Sequence, residues 1–329
     1  MVWYRNWWGD DGNTQDFWFT RFFEQGCKDW GLDHNDICIW SVFGAWPSLL
    51  NESKSFKVRI FFTGENLNNM HTHWNRFDII ENYVDIILGF HSESKKFQHF
   101  PLWLIYWDFW KNGLFKPVIN PDRLNKAVII ANHNANGSRT AICNYVAKQG
   151  IKIDCNKQNI FNPVDTLVTL GPTVEDKQRL IQNYRYNICP ENSLSIGYTT
   201  EKLFQSIAAG CTPIYCGAQP LIEVINPKYI ALLNNTDIKL ISPVNEYVWL
   251  DNALTTIFKV YGMLWSNVFR ILNKENKKCI ATNKILYKVK DREEAKEKLY
   301  KHWKKYNHFF EPRASFEIDE KVVEFESLF

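Results

Sequence analysis

Residues 184–217, YRYNICPENSLSIGYTTEKLFQSIAAGCTPIYCG, decide the fold of this chain. The pattern predicts a strand from Tyr184 to Ile188, a polar loop, a helix from Glu201 to Ala209 and a second strand from Thr212 to Tyr215. Apolar residues recur at helical spacing within the predicted helix, and Gly210 follows as a stop signal. Strand, helix and strand in this order predict a right-handed crossover between two parallel strands.

The polar loop between the predicted strand and helix carries a candidate ligand site. Its polar residues, with those of the first helical turn, are Glu191, Asn192, Ser193, Tyr198, Thr200, Glu201 and Lys202. Ligands of open α/β sheets bind at the carboxyl ends of the strands, so the loop is expected to face the site. A helix amino end beside Lys202 suits a diphosphate, and Glu201 suits sugar hydroxyls. The composition indicates a nucleotide-sugar site, although ordinary first-turn charges have the same pattern.

The segment PENSLSIGYTTEKLFQSIAAGCTPIYCG, residues 190–217, resembles the signature of the α-1,3/1,4-fucosyltransferases of glycosyltransferase family 10. The family pattern is roughly FENS, a short gap, GYxTEK, an apolar helix and PIYWG. Pro190 replaces the usual aromatic residue and Cys216 the usual tryptophan. The resemblance extends more thinly from about Trp7 to about Pro227 and is closest to the soluble bacterial or viral type.

This resemblance implies an α/β fold of the GT-B type, in which two Rossmann-like domains face each other across a cleft, with C-terminal helices. It implies an inverting α-1,3-fucosyltransferase that moves L-fucose from GDP-β-L-fucose to a hydroxyl of a GlcNAc-containing, N-acetyllactosamine-like glycan. Transferases of this type hold the diphosphate with cations and helix dipoles, and the chain has no DxD pair. No cofactor is therefore expected beyond the GDP-fucose substrate, with a divalent metal at most stimulatory.

Two other functions stay open at this point. A GT-B transferase with another GDP-sugar donor, such as GDP-mannose, would need the same phosphate loop. The departures at Pro190, Leu167 and Cys216 are also compatible with a catalytically inactive protein that binds a glycan or a nucleotide sugar. The linkage, 1,3 or 1,4, is not encoded in the signature.

Apolar and β-branched runs predict further strands and helices in both halves of the chain. In the first half, strands are expected at 2–8, 36–41, 57–62 and 84–90, and a helix at 15–24. In the second half, a buried strand at 127–131 leads through a polar loop to a helix at 140–149. Strand, loop and helix in succession form the usual opening of a Rossmann-like half.

Three regions are predicted along the chain. Residues 1–120 form an N-terminal acceptor-binding Rossmann-like domain, 121–290 a C-terminal GDP-fucose-binding Rossmann-like domain, and 291–329 a charged C-terminal helix and tail. Glycines and prolines up to Pro121 set the first boundary. Glu-to-Lys pairs predict the last helix, for which a solvated face is the ordinary use and peripheral membrane contact the alternative.

The candidate catalytic residues lie in two loops of the first half. The resemblance assigns the general base to a glutamate after the strand at 84–90, and Glu93 takes that role by position. His91 is an alternative base, because an ordinary histidine pKa near about 6.5 suits proton transfer. Glu65, in a TGEN segment that the family shares, is a second alternative. The predicted acceptor-binding residues are Trp7, Glu65 and His91.

The predicted donor-binding residues are Arg139, Glu191, Asn192, Tyr198, Glu201 and Lys202. Arg139 begins the helix at 140–149, and arginine forks onto phosphate in a bidentate way. The resemblance implies that Tyr198 and Lys202 hold the charge of the leaving GDP and that Glu201 holds ribose hydroxyls. It places Glu191 and Asn192 near the fucose or the phosphates.

One departure concerns the second phosphate cation. Leu167 stands where the family often has a further arginine. The second cation is therefore either absent or supplied by Lys177, Arg179 or Arg185.

Composition narrows the class of protein. The 329 residues are 45% hydrophobic and carry a net charge of +3, which gives no argument for a nucleic-acid partner. The eight cysteines form no CxxC pair, as expected of free thiols in a reducing compartment. The amino end lacks a signal-peptide pattern, and no window approaches about 18 apolar residues. We therefore expect a soluble cytoplasmic protein without an integral membrane segment, whose partners are GDP-fucose and a glycan acceptor.

Overall fold

The computed structural model divides the chain into two compact units, Met1–Phe100 with Thr255–Phe329, and Pro101–Leu254. It describes residues 2–7, 17–30, 33–67, 74, 76–90, 93–106, 118, 120–134, 137–162, 164–217, 230–232, 239–241, 260, 263–264, 267–268, 271, 285–288, 290–291, 294, 297–298, 314–318 and 321–324.

The first unit is built on a parallel sheet of five strands that lie side by side in chain order. The strands are β1 (Trp3–Arg5), β2 (Ile37–Trp40), β3 (Val58–Phe62), β4 (Ile86–Gly89) and β5 (Phe97–His99). The helices of this unit are α1 (Trp18–Trp30), α2 (Trp46–Glu52) and α3 (Phe77–Ile80), with short 3-10 turns at His34–Asp36 and Ser53–Ser55. β2 and β4 are buried along their whole length, as expected of parallel strands covered on both faces.

Aromatic side chains fill much of the core of the first unit. Trp18 stacks on Phe22 within α1, and Phe19 packs edge-on against Phe62 of β3. Elsewhere in the core, Phe61 of the same strand stacks on Trp74, with ring centroids 5.6 Å apart. The aromatic residues of this half of the sequence are therefore used mainly for packing.

The second unit holds a mixed sheet of six strands. The strands are β6 (Leu124–Ile129), β7 (Ile153–Cys155), β8 (Tyr184–Pro190), β9 (Thr212–Cys216), β10 (Ile230–Leu232) and β11 (Lys239–Ile241). The helices are α4 (Trp103–Tyr106), α5 (Ser138–Lys148), α6 (Val174–Ile181) and α7 (Glu201–Ala208). The strand order is β10-β11-β9-β8-β6-β7, in which β7, β6, β8 and β9 are parallel and β11 is antiparallel to both of its neighbours.

The strand order of this sheet reverses between β6 and β8. The chain leaves β6, forms β7 on one side of it, and then crosses back to form β8 on the other side. Loops that leave the carboxyl ends of two such strands diverge and open a crevice, which is where open α/β sheets bind ligands. In this unit, a ligand site is therefore expected at the carboxyl ends of β6 and β8.

Helices cover both faces of the second sheet. Ile142, Cys143 and Val146 of α5 pack with Ala127 and Ile129 of β6 on one face. The opposite face is packed by Val128, Ile181, Tyr184, Ala209 and Cys211. Because side chains alternate along a strand, neighbouring residues of β6 contribute to the two cores in turn.

The predicted strand-helix-strand crossover is confirmed by β8, α7 and β9. α7 ends in a Schellman motif, in which Cys211 N donates to Ser206 O at 3.0 Å and Gly210 N donates to Ile207 O at 2.8 Å. Gly210 adopts a left-handed φ of 70°. The Arg123 guanidinium adds hydrogen bonds to the carbonyls of Ala209, Gly210 and Val118, so the last carbonyls at this helix end are bonded.

The C-terminal region contains a third, three-stranded sheet that the sequence analysis did not predict. Its strands are β12 (Ile285–Lys288), β13 (Ala314–Ile318) and β14 (Lys321–Glu324), and β13 pairs parallel to β12 and antiparallel to β14. Much of the predicted helix at 291–306 lies outside the described residues. The tail beyond it contains β13 and β14, and apolar and polar residues alternate along β13.

The α/β class is confirmed, because each unit is built around a sheet with parallel strands. The unit boundaries after residues 100 and 254 differ from the predicted boundaries after 120 and 290. The first boundary differs because residues between 101 and 120 pack against the second unit, which the positions of glycine and proline do not show. The Trp103 ring stacks on Phe204 of α7 at 4.4 Å, and Val118 N donates to Ala208 O. Residues 101–120 therefore belong to the second unit. None of the helices described above has the length and apolar character needed to cross a membrane.

Replacing Gly210 with alanine should destabilise the protein by about 3 kcal/mol, since a Cβ there meets Val118 O and Arg123 in addition to the left-handed φ. Gly150 is the matched control, because it has a φ of 79° and an added Cβ meets nothing within 4 Å. Gly150→Ala should cost about 1 kcal/mol. Urea unfolding of the two variants measures the difference, and equal costs would contradict the close packing at Gly210.

Candidate functional site

The polar residues of the second unit converge at the carboxyl ends of β6 and β8. The loop after β6 leads to α5, and the loop after β8 leads to α7. Asn134 fixes the start of α5, because its side chain accepts from Thr140 N at 3.1 Å and donates to Thr140 Oγ1 at 2.7 Å. The amino ends of α5 and α7 therefore lie at the edge where the strand order reverses.

A buried carboxylate organises the start of α7. Glu191 Oε1 accepts from Thr200 N at 2.7 Å, and Oε2 accepts from the Thr200 hydroxyl at 2.6 Å. The Tyr215 hydroxyl lies 3.3 Å from Oε1, and Lys202 Nζ lies 3.4 Å from Oε2. Lys202 also donates to Thr200 Oγ1 at 2.9 Å. The Glu191 side chain is fully buried, so both of its oxygens are engaged by the protein itself.

This geometry gives Glu191 a positioning role. Its two oxygens are engaged by protein donors, and its place near the fucose or the phosphates stays a prediction. The Thr200 hydroxyl donates to Glu191 and makes no cap bond to the first turn of α7. The carboxylate therefore connects the end of β8 to the start of α7.

The charges of this network are coupled. Burial raises the pKa of the Glu191 carboxyl, while Lys202 and the Thr200 hydrogen bonds oppose the rise. Burial lowers the pKa of Lys202, but the charges of Glu191 and Glu201 outweigh burial, so its pKa is raised overall. Lys202 therefore stays protonated and presents a fixed positive charge at the amino end of α7.

Arg139 is a buried cation on the other side of the crevice. Its side chain is 4% exposed, and its guanidinium donates to His133 O and, at 2.6 Å, to Asn192 Oδ1. Burial lowers the pKa of Arg139, and the charge of Glu191 opposes the shift. No carboxylate in the described part of the chain forms an ion pair with it. A buried arginine bonded only to neutral oxygens is suited to bind an anion.

The structure brings together the other predicted donor residues. Asn192 joins the two loops through its bond to Arg139. Tyr198 is buried within the loop after β8, where its N–H donates to Ser195 O at 3.0 Å. Glu201 lies in the first turn of α7, with Oε1 3.5 Å from Lys202 Nζ.

Lys177, Arg179 and Arg185 were the candidates for the second phosphate cation, and their surroundings in the structure differ. Arg179 is 72% exposed and pairs with Asp176 at 3.7 Å. Arg185 lies near the amino end of β8, away from the crevice, over the ring of Tyr186. Lys177 is the one of the three whose charge interacts with the Glu191 and Lys202 network.

Two residues of the site were not predicted from the sequence. Tyr215 contacts Glu191 from β9, and the signal for it was its place inside the signature segment. His133 follows β6, and burial lowers its pKa, with further lowering by the charges of Arg139 and Lys202. The influence of Lys202 on His133 gives no sequence signal, because Lys202 lies far along the chain.

The predicted acid-base residues belong to the first unit. Glu65 follows β3 and Glu93 follows β4, and these neighbouring parallel strands end at the same edge of the sheet. Glu65 is held in a tight turn, in which Thr63 Oγ1 donates to Glu65 O and accepts from Glu65 N. Glu93 is exposed. His91 lies outside the described residues.

Trp7 does not have the exposure expected of an acceptor-binding residue. Its side chain is 4% exposed and packs against Tyr4, Phe17 and Phe62 in the core of the first unit. The indole therefore presents no face on which a sugar ring can stack. The prediction fails because tryptophan in a short amino-terminal strand suits packing as well as sugar binding.

Among the residues that the structure describes, no three or more His, Cys, Asp and Glu side chains are grouped so that they could hold a metal ion. The positive charges in the site come from Arg139 and Lys202, with Lys177 nearby.

Fold and site together define an α/β protein in which buried cations lie at a strand-order reversal. No family model matches the chain. Over 80 residues the chain is 32% identical to the alpha-(1,3)-fucosyltransferase FucT of Helicobacter pylori, a match that covers 24% of this chain and 16% of that protein. The predicted resemblance to α-1,3-fucosyltransferases is confirmed by this match.

Two solved fucosyltransferase structures are also similar to the chain. An α1,3-fucosyltransferase with GDP-fucose is 18% identical, with 82% of this chain and 80% of that chain covered and a TM-score of 0.45. The α1,3-fucosyltransferase with GDP is also 18% identical, with 80% of each chain covered and a TM-score of 0.42.

Replacing Glu191 with glutamine should lower the free energy of unfolding by about 3 kcal/mol, because the buried pair with Lys202 loses its negative partner. Tyr215→Phe removes only the longer contact at 3.3 Å and should cost about 1 kcal/mol or less. Urea unfolding of both variants provides the comparison. A Glu191→Gln variant as stable as the wild type would show that the carboxylate charge does not hold the start of α7.

Proposed function

We propose that this chain is an inverting α-1,3-fucosyltransferase, which moves L-fucose from GDP-β-L-fucose to a hydroxyl of a GlcNAc-containing, N-acetyllactosamine-like glycan. The observation that carries the proposal is the buried Arg139, bonded to Asn192 and without a carboxylate partner among the described residues. It lies at the strand-order reversal of a chain that resembles α-1,3-fucosyltransferases over 80 residues.

The cations of the crevice suit a diphosphate. Arg139 presents a planar guanidinium from the start of α5, and Lys202 presents an ammonium from the start of α7. Both helix amino ends add partial positive charge, which favours an anion placed between them. Negative charge that grows on the departing GDP is then stabilised by groups already in place, and one such donor contributes about 3 kcal/mol to catalysis.

The remaining polar groups suit the sugar parts of the donor. Glu201 lies partly exposed in the first turn of α7, and its carboxylate can accept hydrogen bonds from ribose hydroxyls. The Asn192 amide has its oxygen bonded to Arg139, which leaves its N–H₂ group to donate to the donor substrate. Glu191 acts behind these groups by holding Thr200 and Lys202 in position.

The chemical step is a single displacement. The acceptor hydroxyl oxygen forms a bond to C1 of fucose as the bond between C1 and the diphosphate oxygen breaks, and GDP leaves with the bonding electron pair. The hydroxyl proton passes to Glu93, an exposed carboxylate at the carboxyl edge of the first sheet. Attack on the face opposite the leaving group inverts the anomeric configuration. In this proposal Arg139 and Lys202 supply the positive charge, and a divalent metal is at most stimulatory.

The experiment that tests the proposal measures GDP release from GDP-fucose by the purified chain, with N-acetyllactosamine or chitobiose as acceptor and with or without EDTA. We expect release that depends on N-acetyllactosamine and survives EDTA. Competition by GDP-mannose and GDP-fucose for the same site ranks the donors. Binding of GDP-fucose without release on any acceptor would contradict catalysis, and faster turnover of another GDP-sugar would contradict the fucosyl donor.

Replacing Glu93 with glutamine should lower kcat for fucosyl transfer by at least about a hundredfold, because the amide cannot take the acceptor proton. The affinity for GDP should stay the same, since Glu93 lies in the first unit and the anion site in the second. Glu65→Gln is the matched control and should reduce kcat much less. If Glu65→Gln abolishes transfer and Glu93→Gln does not, the role of base belongs to Glu65.

A further inference from the structure

Lys177 lies on the inward face of α6. Residues four apart share one face of a helix, and Ile181, four residues after Lys177, is fully buried against the sheet. Arg179 of the same helix lies on the outer side, 72% exposed and paired with Asp176. Lys177 is half-buried, as expected for a residue on the covered side of the helix.

The position of Lys177 along α6 places it at the edge of the crevice. α6 begins in a capping box, in which Thr173 and Asp176 bond each other's backbone and side chain. Lys177 follows this box directly. α6 packs against α7 and β8, and both helices begin at the carboxyl edge of the same parallel strands. The first turns of the two helices are therefore neighbours.

The electrostatics of Lys177 agree with this position. Burial lowers the pKa of its ammonium, the charge of Lys202 lowers it further, and the charges of Glu201 and Glu191 oppose the shift. Lys177 is thus within electrostatic range of the whole network at the start of α7. Nevertheless, its ammonium makes neither a hydrogen bond nor an ion pair with any residue that the structure describes.

We propose that Lys177 is a second lysine of the anion site and binds the diphosphate of a nucleoside-diphosphate sugar together with Lys202 and Arg139. The assignment rests on the proposed function and identifies the side chain that takes the place Leu167 leaves open.

The physical reason is the cost of an enclosed charge. A partly buried ammonium without a partner destabilises the protein that carries it, because it loses hydration and gains no hydrogen bond in return. A diphosphate supplies the missing acceptors. Two lysines from neighbouring helices and an arginine from across the crevice would then contact it from different sides. Charged groups that bind a ligand often lower the stability of the ligand-free protein in this way.

The test is calorimetric titration of GDP into the full chain and its variants. Lys177→Gln should weaken GDP binding by about tenfold or more, because a charged hydrogen bond to phosphate is lost. Lys177→Arg keeps the charge and should bind within about threefold of the wild type. Arg179→Gln removes one positive charge from the outer face of the same helix and should leave GDP affinity unchanged.

A second variant separates ligand binding from a structural role. Lys177→Met replaces the ammonium with an apolar group of similar length. Without ligand, its Tm should equal or exceed that of the wild type, since an unpaired charge is removed. A structural ion pair would give the reverse, a lower Tm. The stabilisation that added GDP confers on the wild type should be much smaller in Lys177→Met.

The outcomes distinguish this assignment from the proposed function. If the wild type binds GDP and Lys177→Gln binds it equally well, Lys177 is not part of the anion site and the proposed function stands. If Lys177→Met lowers the ligand-free Tm, the lysine is structural and the assignment is overturned. If the wild type binds neither GDP nor GDP-fucose, the proposed function is overturned together with this assignment.

Discussion

The carboxylate of Glu191 is buried at the end of a parallel strand, where a lone negative charge would be costly. It is tolerated because Thr200 supplies a backbone N–H and a hydroxyl and Lys202 supplies a positive charge. These contacts connect the end of β8 to the beginning of α7. Because the loop between them is polar and partly exposed, the carboxylate is what gives Lys202 a defined position at the crevice. The proposed anion site therefore depends on this one enclosed group.

Charged side chains bind both ends of α7, and each has the sign that interacts favourably with the helix dipole at its end. Glu191 lies at the amino end, and the Arg123 guanidinium bonds the carbonyls of Ala209 and Gly210 at the other end. The short helix is therefore fixed in position and in tilt, which an eight-residue helix could not achieve by itself. Against this rigid background, Arg139 and Lys177 have no carboxylate partner among the described residues. Hydrogen bonds and ion pairs therefore fix the ends of the helix, and in the proposed function these two cations bind the ligand.

The two units use polar and aromatic residues differently. In the first unit, rings such as Trp7 and Phe62 fill the core, and the candidate acid-base residues Glu65 and Glu93 occupy loops. In the second unit, charged groups themselves are buried at the crevice. The chain also returns to the first unit after residue 254, and strands near its end form a separate small sheet. The positions of glycine and proline in the sequence could not show this return, because packing decides to which unit a segment belongs.

The sequence by itself determined the local elements around the signature segment: the β8, α7 and β9 succession, the Gly210 stop and the loop that carries the site. These follow from periodicity and turn chemistry, which act over a few neighbouring residues. Only the tertiary structure decided that Arg139 meets Asn192, 53 positions away, and that Glu191 is enclosed. It also left Lys177 half-buried and Arg179 exposed, and it placed Trp7 in the core. Those results depend on strand order and burial, which are properties of residues distant in the chain and cannot be obtained from local pattern.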